Sequence, residues 1–272
     1  MYKDESTRKP ITVTTLAKMK RDREKFTVLT AYDASFATLL EAAGVEVLLV
    51  GDSLGMVIQG QRTTVPVTLE DMIYHTRLVA RGCHTALLMT DMPFASYATV
   101  GQAVDNAARL MQEGGAQMVK LEGGSWLAET VRQFSRNGIP VCVHLGLLPQ
   151  SIYKLGGYRV QGREEAAARQ IIDEALALQD AGADMALVEC IPAELGARLR
   201  EALTIPLIGI GAGPDCDAQV LVSYDMLGIT PGRRPKFSKD FLAGHDSLHA
   251  AVAAYVHAVK SGEFPGPEHC LA

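Results

Sequence analysis

Seven side chains in this sequence stand where short apolar runs end, and their types fit proton removal from a carbon acid. Asp52 and Ser53 follow the run that begins at Val45, and Asp91 follows the run from Thr85. Lys120 and Glu122 lie in the run from Met118, His144 in the run from Val141, and Glu189 closes Met185-Ala186-Leu187-Val188. Lys120 and Glu122 are two residues apart, so on a strand both point to one face. Asp52, Asp91 and Glu122 offer three carboxyls from neighbouring runs, a donor set suited to a hard divalent cation. No Cys/His cluster has zinc spacing, so oxygen ligands and Mg²⁺ are favoured. Mg²⁺ keeps several waters, which leaves room for a chelating substrate and lets some carboxyls bind through water. Glu189, away from that group, is left as a free base. A cation with a separate base is equipment for taking a proton next to a carbonyl and holding the enolate.

Each residue also has a plainer reading. Asp52 can cap a helix, Asp91 can make the turn before Met92-Pro93, and Lys120 with Glu122 can be an ordinary ion pair. His144 alone reads as a hydrogen-bonded core histidine. Glu189 is hardest to explain structurally, because a buried carboxylate costs several kcal/mol unless paired or neutralised. The convergence of all seven on one rim favours a site.

A rim requires elements that end together. Eight β-branched or apolar runs, beginning near Thr27, Val45, Thr85, Met118, Val141, Met185, Leu207 and Val220, predict strands. Between them, residues 100–114, 126–137 and 163–181 have helical period and end at Gly114-Gly115, Gly138 and Gly182. In the last of these, Ile171, Ala175, Leu176 and Leu178 fall on or near one apolar face. Such alternation implies right-handed βαβ crossovers and a parallel sheet. An internal repeat points to closure. Gly115–Glu122 matches Gly182–Glu189, 67 residues on, and Gly138-Ile139-Pro140-Val141 matches Thr204-Ile205-Pro206-Leu207 in nearly the same register. A looser relative begins at Gly44. Four two-strand units of that length nearly account for 272 residues.

The predicted fold is therefore α/β, a single (β/α)₈ TIM barrel over residues 1–272. It has an N-terminal arm or short helix over about residues 1–25 and an extended tail over about 261–272. In such a barrel the active site lies at the C-terminal ends of the strands, where the seven residues fall. The segment Gly209-Ile210-Gly211-Ala212-Gly213 reads as a tight turn or close backbone approach ahead of a phosphate cradle. Gly156-Gly157-Tyr158 has the glycines of a lid.

Composition narrows the classes. Hydrophobic residues at 48% and charged residues at 21% fit a globular core. A net charge of −5 argues against nucleic-acid binding. No apolar run approaches the roughly 20 residues that span a bilayer, and the N-terminus has no secretory pattern. Five cysteines without a CxxC pair read as reduced thiols in a cytoplasmic protein.

At these residues the chain resembles the ketopantoate hydroxymethyltransferase family. The resemblance runs from about Thr12 to Phe264-Pro265. It is carried by Thr30-Ala31-Tyr32-Asp33, Val50–Met56, Asp91-Met92-Pro93-Phe94, Val119–Gly124, His144–Leu147, Gly156-Gly157-Tyr158, Val160-Gln161-Gly162, Glu189-Cys190 and Gly209–Gly213. It implies a (β/α)₈ barrel in a large homo-oligomer, typically a decamer. It implies the first committed step of pantothenate biosynthesis, in which 5,10-methylenetetrahydrofolate gives a hydroxymethyl group to 3-methyl-2-oxobutanoate through a Mg²⁺-stabilised enolate. Carried over by position, Asp52, Asp91 and Glu122 fall on the magnesium site, and Ser53, Asp91 and Lys120 on keto-acid contacts. His144 falls on a pocket residue and Glu189 on the proton acceptor. Asp52 is counted with the substrate-binding residues as well as with the metal. Two departures are expected to touch a loop or a contact near the rim: Ala218, where relatives usually have Gly, and Tyr224, where they often have His.

Two other readings compete. One is a Mg²⁺-dependent carbon–carbon lyase or mutase of the isocitrate lyase and phosphoenolpyruvate mutase kind. Those enzymes commonly carry a reactive Cys in a Lys/Gly-rich loop, and this sequence has no such loop. The other is a catalytically dead barrel that serves as a scaffold, which predicts gaps among the rim residues.

Overall fold

In a computed structural model, which describes residues 8–230, 232 and 234–271, eight parallel strands close into a barrel in chain order. They are β1 (Phe26–Thr30), β2 (Val47–Val50), β3 (Leu87–Asp91), β4 (Met118–Glu122), β5 (Val141–Gly146), β6 (Met185–Glu189), β7 (Leu207–Ile210) and β8 (Ala218–Leu221). β1 pairs with β8 and completes the ring. Each of the eight runs predicted as strands contains or overlaps one of them.

Alternation along each strand separates two cores. Leu29, Leu48, Leu88, Val119, Leu121, Val143 and Val188 point outward and pack under the helices. Phe26, Val28, Val47, Leu49, Leu87, Met89, Met118, Cys142, Met185, Leu187, Ile208 and Val220 form a second, interior cluster. The inward row of β4 runs Met118, Lys120, Glu122, that of β5 Cys142, His144, and that of β6 Met185, Leu187, Glu189. The lower barrel is thus an apolar floor, and the same rows turn ionisable near the C-terminal ends.

The 163–181 pattern forms a helix over Glu165–Asp180, with Ala168, Ala175 and Leu178 buried and Gly182 at φ +107°. The 126–137 pattern forms a 3₁₀ turn, Ser125–Leu127, and a helix, Ala128–Arg136. The 100–114 pattern gives an α-helix over Val100–Arg109 that widens into a π turn, Leu110–Gly114, before Gly115 at φ +87°.

The two ends of the chain are more structured than their composition suggests. Residues 1–7 of the predicted arm lie outside the described residues. The rest contains α1 (Val13–Asp22), opened by a capping box at Thr12. Leu16 of α1 is fully buried in the interior cluster, with Ile11, Val13 and Met19 packed beside it. This helix plugs the N-terminal mouth of the barrel. At the other end, a helix over Leu248–Ser261 sends Tyr255 between β8 and β1, and its hydroxyl donates to Val28 O (3.1 Å) and Gln219 O (2.8 Å). Phe264 is buried against Tyr255 and Phe241, and Pro267–His269 form a 3₁₀ turn. The expected extended tail is instead anchored, because its aromatic residue belongs to the outer core.

Ala218 begins β8 and lies fully buried in the interior cluster, at the barrel floor. The expectation that it touches the rim is corrected: it is a core position, where a methyl group fills barrel volume. Tyr224 follows β8 at the rim, with its ring 5.8 Å from that of Tyr32 and 6.0 Å from that of Phe36.

Candidate active site

Buried carboxylates occur at both ends of the barrel, and their surroundings differ. At the N-terminal end every one is saturated. Glu41 accepts the backbone N–H groups of His84, Thr85 and Ala86 at 2.7–2.8 Å. Glu46 accepts Thr27 N and Thr27 Oγ1 and meets Lys260 and Arg8. Asp217 meets Lys20 and Arg200 and accepts Leu207 N. These groups hold strand ends together.

At the C-terminal end Asp52, Asp91 and Glu122 share the ammonium of Lys120, and Glu189 stands beyond them beside His144. All but Glu189 are at most 4% exposed, and the Glu189 side chain is 14% exposed. Lys120 Nζ lies 2.6 Å from Asp91 Oδ1, and Asp91 Oδ2 accepts the Asp52 backbone N–H at 3.0 Å. Glu122 Oε1 is 3.6 Å from His144 Nδ1, and His144 Nε2 is 3.3 Å from Glu189 Oε2. The predicted residues therefore form an arc around the mouth from β2 to β6. Ser53 stands at its β2 end, on the rim. Its Oγ lies 2.9 Å from Tyr32 OH, and both it and Asp91 Oδ2 come close to the space a Gly51 side chain would fill.

Crowding of like charges away from water sets the protonation of the group. Burial and the nearby Asp91 and Glu122 carboxylates hold the Asp52 carboxyl well above the ordinary range. Burial pushes Glu122 up to about 7, against the pull of Lys120. Burial alone would lower Lys120, but Asp91, Glu122 and Asp52 outweigh it and keep the ammonium charged. Burial first, then Lys120, lowers the His144 pKa, so its imidazole is neutral. Lys120 Nζ, 3.4 Å from His144 Nδ1, can only donate, so Nδ1 accepts and the ring proton sits on Nε2, which lies 3.3 Å from Glu189 Oε2 without a hydrogen bond.

The donor set fits a hard cation. Asp52 Oδ1 and Glu122 Oε1 make no hydrogen bond among the described residues, and the carboxyls outnumber their one cationic partner. The three acids proposed for the metal stand in a linked row. Among the described residues no group of three or more acidic, histidine or cysteine side chains stands already placed to hold a metal ion, so water would have to complete any coordination here.

Two residues at the site carry no sequence signal. Gln150 follows β5 on a 3₁₀ turn, Pro149–Ser151, and is 5% exposed. It bonds both Asp52 and Glu122, while Tyr97 OH donates to its Oε1 at 2.5 Å. Both come from loops with no periodicity. The one available cue was that loops after strand ends build the active face.

The glycine-rich segment after β7 has the character of a close approach. A β-carbon on Gly213 would stand 2.5 Å from Ala193 Cβ, and one on Gly209 would stand 2.7 Å from Cys216 Sγ. Gly156 and Gly157 both have positive φ with open space around them, and Tyr158 reaches Met56 Sδ across the mouth at 3.7 Å.

Known proteins resemble this chain at two levels. Residues 10–267 match the model of the family described as ketopantoate hydroxymethyltransferase. A 3-methyl-2-oxobutanoate hydroxymethyltransferase of Nitrosococcus oceani is 64% identical over 94% of this chain and 97% of its own. One of Alkalilimnicola ehrlichii is 60% identical over 97% and 95%. Among solved structures, a putative phosphonomutase from Burkholderia cenocepacia superposes with TM-score 0.61 at 15% identity, over 78% of this chain and 94% of its own. A 2,3-dimethylmalate lyase, titled a member of the PEP mutase/isocitrate lyase superfamily, gives 0.57 at 16%, over 80% of both. At such identities the structures share the barrel alone. The sequence matches go further: the chain belongs to the ketopantoate hydroxymethyltransferase family.

Proposed function

We propose that the protein transfers a hydroxymethyl group from 5,10-methylenetetrahydrofolate to 3-methyl-2-oxobutanoate, giving 2-dehydropantoate in the first committed step of pantothenate biosynthesis. Family membership supports the overall reaction. The observation that carries the mechanism is the arc itself, with an ion pair (Lys120–Asp91) near one end and Glu189 at the other.

In this reading Asp52, Asp91 and Glu122 hold Mg²⁺, directly or through water, and Lys120 and Ser53 orient the keto acid's carboxylate. The cation, when bound, supplies positive charge beside the 2-oxo group, where negative charge develops as C3 is deprotonated. Glu189 takes the C3 proton. His144 Nε2 lies 3.3 Å from Glu189 Oε2, close enough to restrict how that carboxylate turns. Loss of the proton makes C3 a nucleophile for the one-carbon unit. A water supplies the hydroxyl oxygen of the transferred group, and Tyr158, which follows the positive-φ pair Gly156-Gly157 and reaches Met56 across the mouth, limits other access of solvent.

Wider assignments follow the same reading. Met56, Phe94, Trp126, Tyr153 and Tyr158 leave apolar surface exposed on the loops after β2 to β5. This supports an interacting face, which we assign to a homo-oligomer, a decamer by family resemblance. The five cysteines are all free, and among the described residues no helix is long and apolar enough to cross a membrane. Both features fit a cytoplasmic enzyme. The lyase or mutase alternative has the fold neighbours in its favour, but those share the barrel alone. The dead-scaffold reading predicted gaps in an arc that has none.

The test is a turnover assay with the keto acid, 5,10-methylenetetrahydrofolate and Mg²⁺. The proposal expects 2-dehydropantoate, with no product when either substrate is omitted. Cleavage of isocitrate or 2-methylisocitrate without folate, and no 2-dehydropantoate, would overturn it.

A further inference from the structure

Gln150 joins two acids that come from different strands. Its backbone N–H donates to Glu122 Oε2 at 3.0 Å. The two hydrogens of its side-chain amide go to Asp52 Oδ2 and to Met92 O, both at 2.9 Å. Its Oε1 accepts from Tyr97 OH at 2.5 Å, and the Tyr97 oxygen faces the Glu122 backbone N–H at 3.3 Å. Every donor and acceptor of the side-chain amide is therefore used. The orientation is fixed by chemistry: a flipped amide would put its oxygen against the Met92 carbonyl, which cannot donate.

The two contacts divide the work of each carboxylate. Asp52 gives Oδ2 to Gln150 and Glu122 gives Oε2, so Asp52 Oδ1 and Glu122 Oε1 stay free of hydrogen bonds among the described residues. Without the side-chain amide Asp52 would lose that partner, while Glu122 would keep the Gln150 backbone N–H but lose the fixed neighbour that holds Asp52 in line with it. We propose that Gln150 is a positioning residue, locked by Tyr97, that aligns Asp52 and Glu122 to hold the divalent cation. The inference rests on the metal assignment above and adds a residue that contacts neither cation nor substrate in it.

Mn²⁺ serves as the probe, with its binding read by electron paramagnetic resonance on protein without keto acid or folate. Gln150→Met keeps the volume and removes the amide. It is expected to weaken Mn²⁺ binding about 10- to 100-fold, the usual cost of losing a partner of metal ligands. Tyr97→Phe leaves the amide in place but unlocked, so a smaller loss in the same direction is expected. The double variant should bind no worse than Gln150→Met alone, since the two act as one chain. Gln150→Asn, which retains an amide, should recover part of the loss. Folded Gln150→Met and Tyr97→Phe proteins that both bind Mn²⁺ within twofold of the native protein would overturn the proposal. If Gln150→Met does not fold, Tyr97→Phe decides alone. Failure of the native protein to bind Mn²⁺ would instead sink the metal assignment, and this inference with it.

Discussion

Glu46 and Asp52 are both buried acids beside β2, and they behave as opposites. Glu46 is met by hydroxyl, amide and cationic donors, so its charge is compensated by the fold. Asp52 faces two further acids and shares one ammonium with them. On the proposed metal assignment, a group arranged this way lowers the stability of the metal-free protein in favour of ligand binding. The two sites should respond to neutralisation with opposite signs. In chelator-treated protein, Asp52→Asn keeps an acceptor for Gln150 and removes the repulsion. It should raise stability by about 1 kcal/mol or more, roughly 2–4 °C in Tm, while abolishing cation binding. Glu46→Gln should lower it by about 1–3 kcal/mol. Thermal unfolding of both variants checks the pair; a destabilised Asp52→Asn would mean the acids are structural. The individual acids and Lys120, His144 and Glu189 were legible because each breaks an apolar strand pattern. Gln150 and Tyr97 were not, since an uncharged residue on an aperiodic loop announces nothing until the strands bring it alongside Asp52 and Glu122.

At the scale of elements, strands were the clearest part of the sequence. Buried parallel strands are continuous apolar runs, and several of the helices between them end near a glycine at positive φ, such as Gly138 or Gly182. The repeat of Gly115–Glu122 at Gly182–Glu189 becomes β4 and β6, and it places Glu122 and Glu189 at equivalent strand ends. The termini read less well. Residues 13–22 are rich in Lys, Arg and Thr, and only Leu16 is buried, so an arm and a short helix both fitted the sequence; the helix forms, and its seat in the barrel is what the sequence did not announce. One apolar residue suffices because the barrel floor needs one plug. Leu16→Ala should therefore cost about 2–5 kcal/mol, as deletion of a buried leucine does. Mn²⁺ affinity should stay within twofold, since the plug and the acids sit at opposite ends of the barrel. Denaturant unfolding and Mn²⁺ titration check both halves, and a small stability loss with lost affinity would contradict this division.

The whole molecule separates stability from chemistry along the barrel axis. Saturated acids, the apolar floor and the plug occupy one end, and unsaturated acids and exposed aromatic residues the other. Closure of the sheet makes that separation possible, because the C-terminal ends of all eight parallel strands open on one mouth. Closure was foreseeable from the repeat, whereas the seating of Phe264 and Tyr255 was not. The Tyr255 hydroxyl reaches Val28 of β1, 227 positions away, and Phe264 packs on that same ring, so no local period reports either.

The central claim is that Glu189 removes the C3 proton of the keto acid. It is tested by following hydrogen exchange of 3-methyl-2-oxobutanoate in deuterated water, with Mg²⁺ and no folate. The native protein should exchange C3, and Glu189→Gln should lose at least about 100-fold in rate, the lower range for a positioned general base. Its keto-acid binding should remain. Exchange by Glu189→Gln at the native rate would contradict the account.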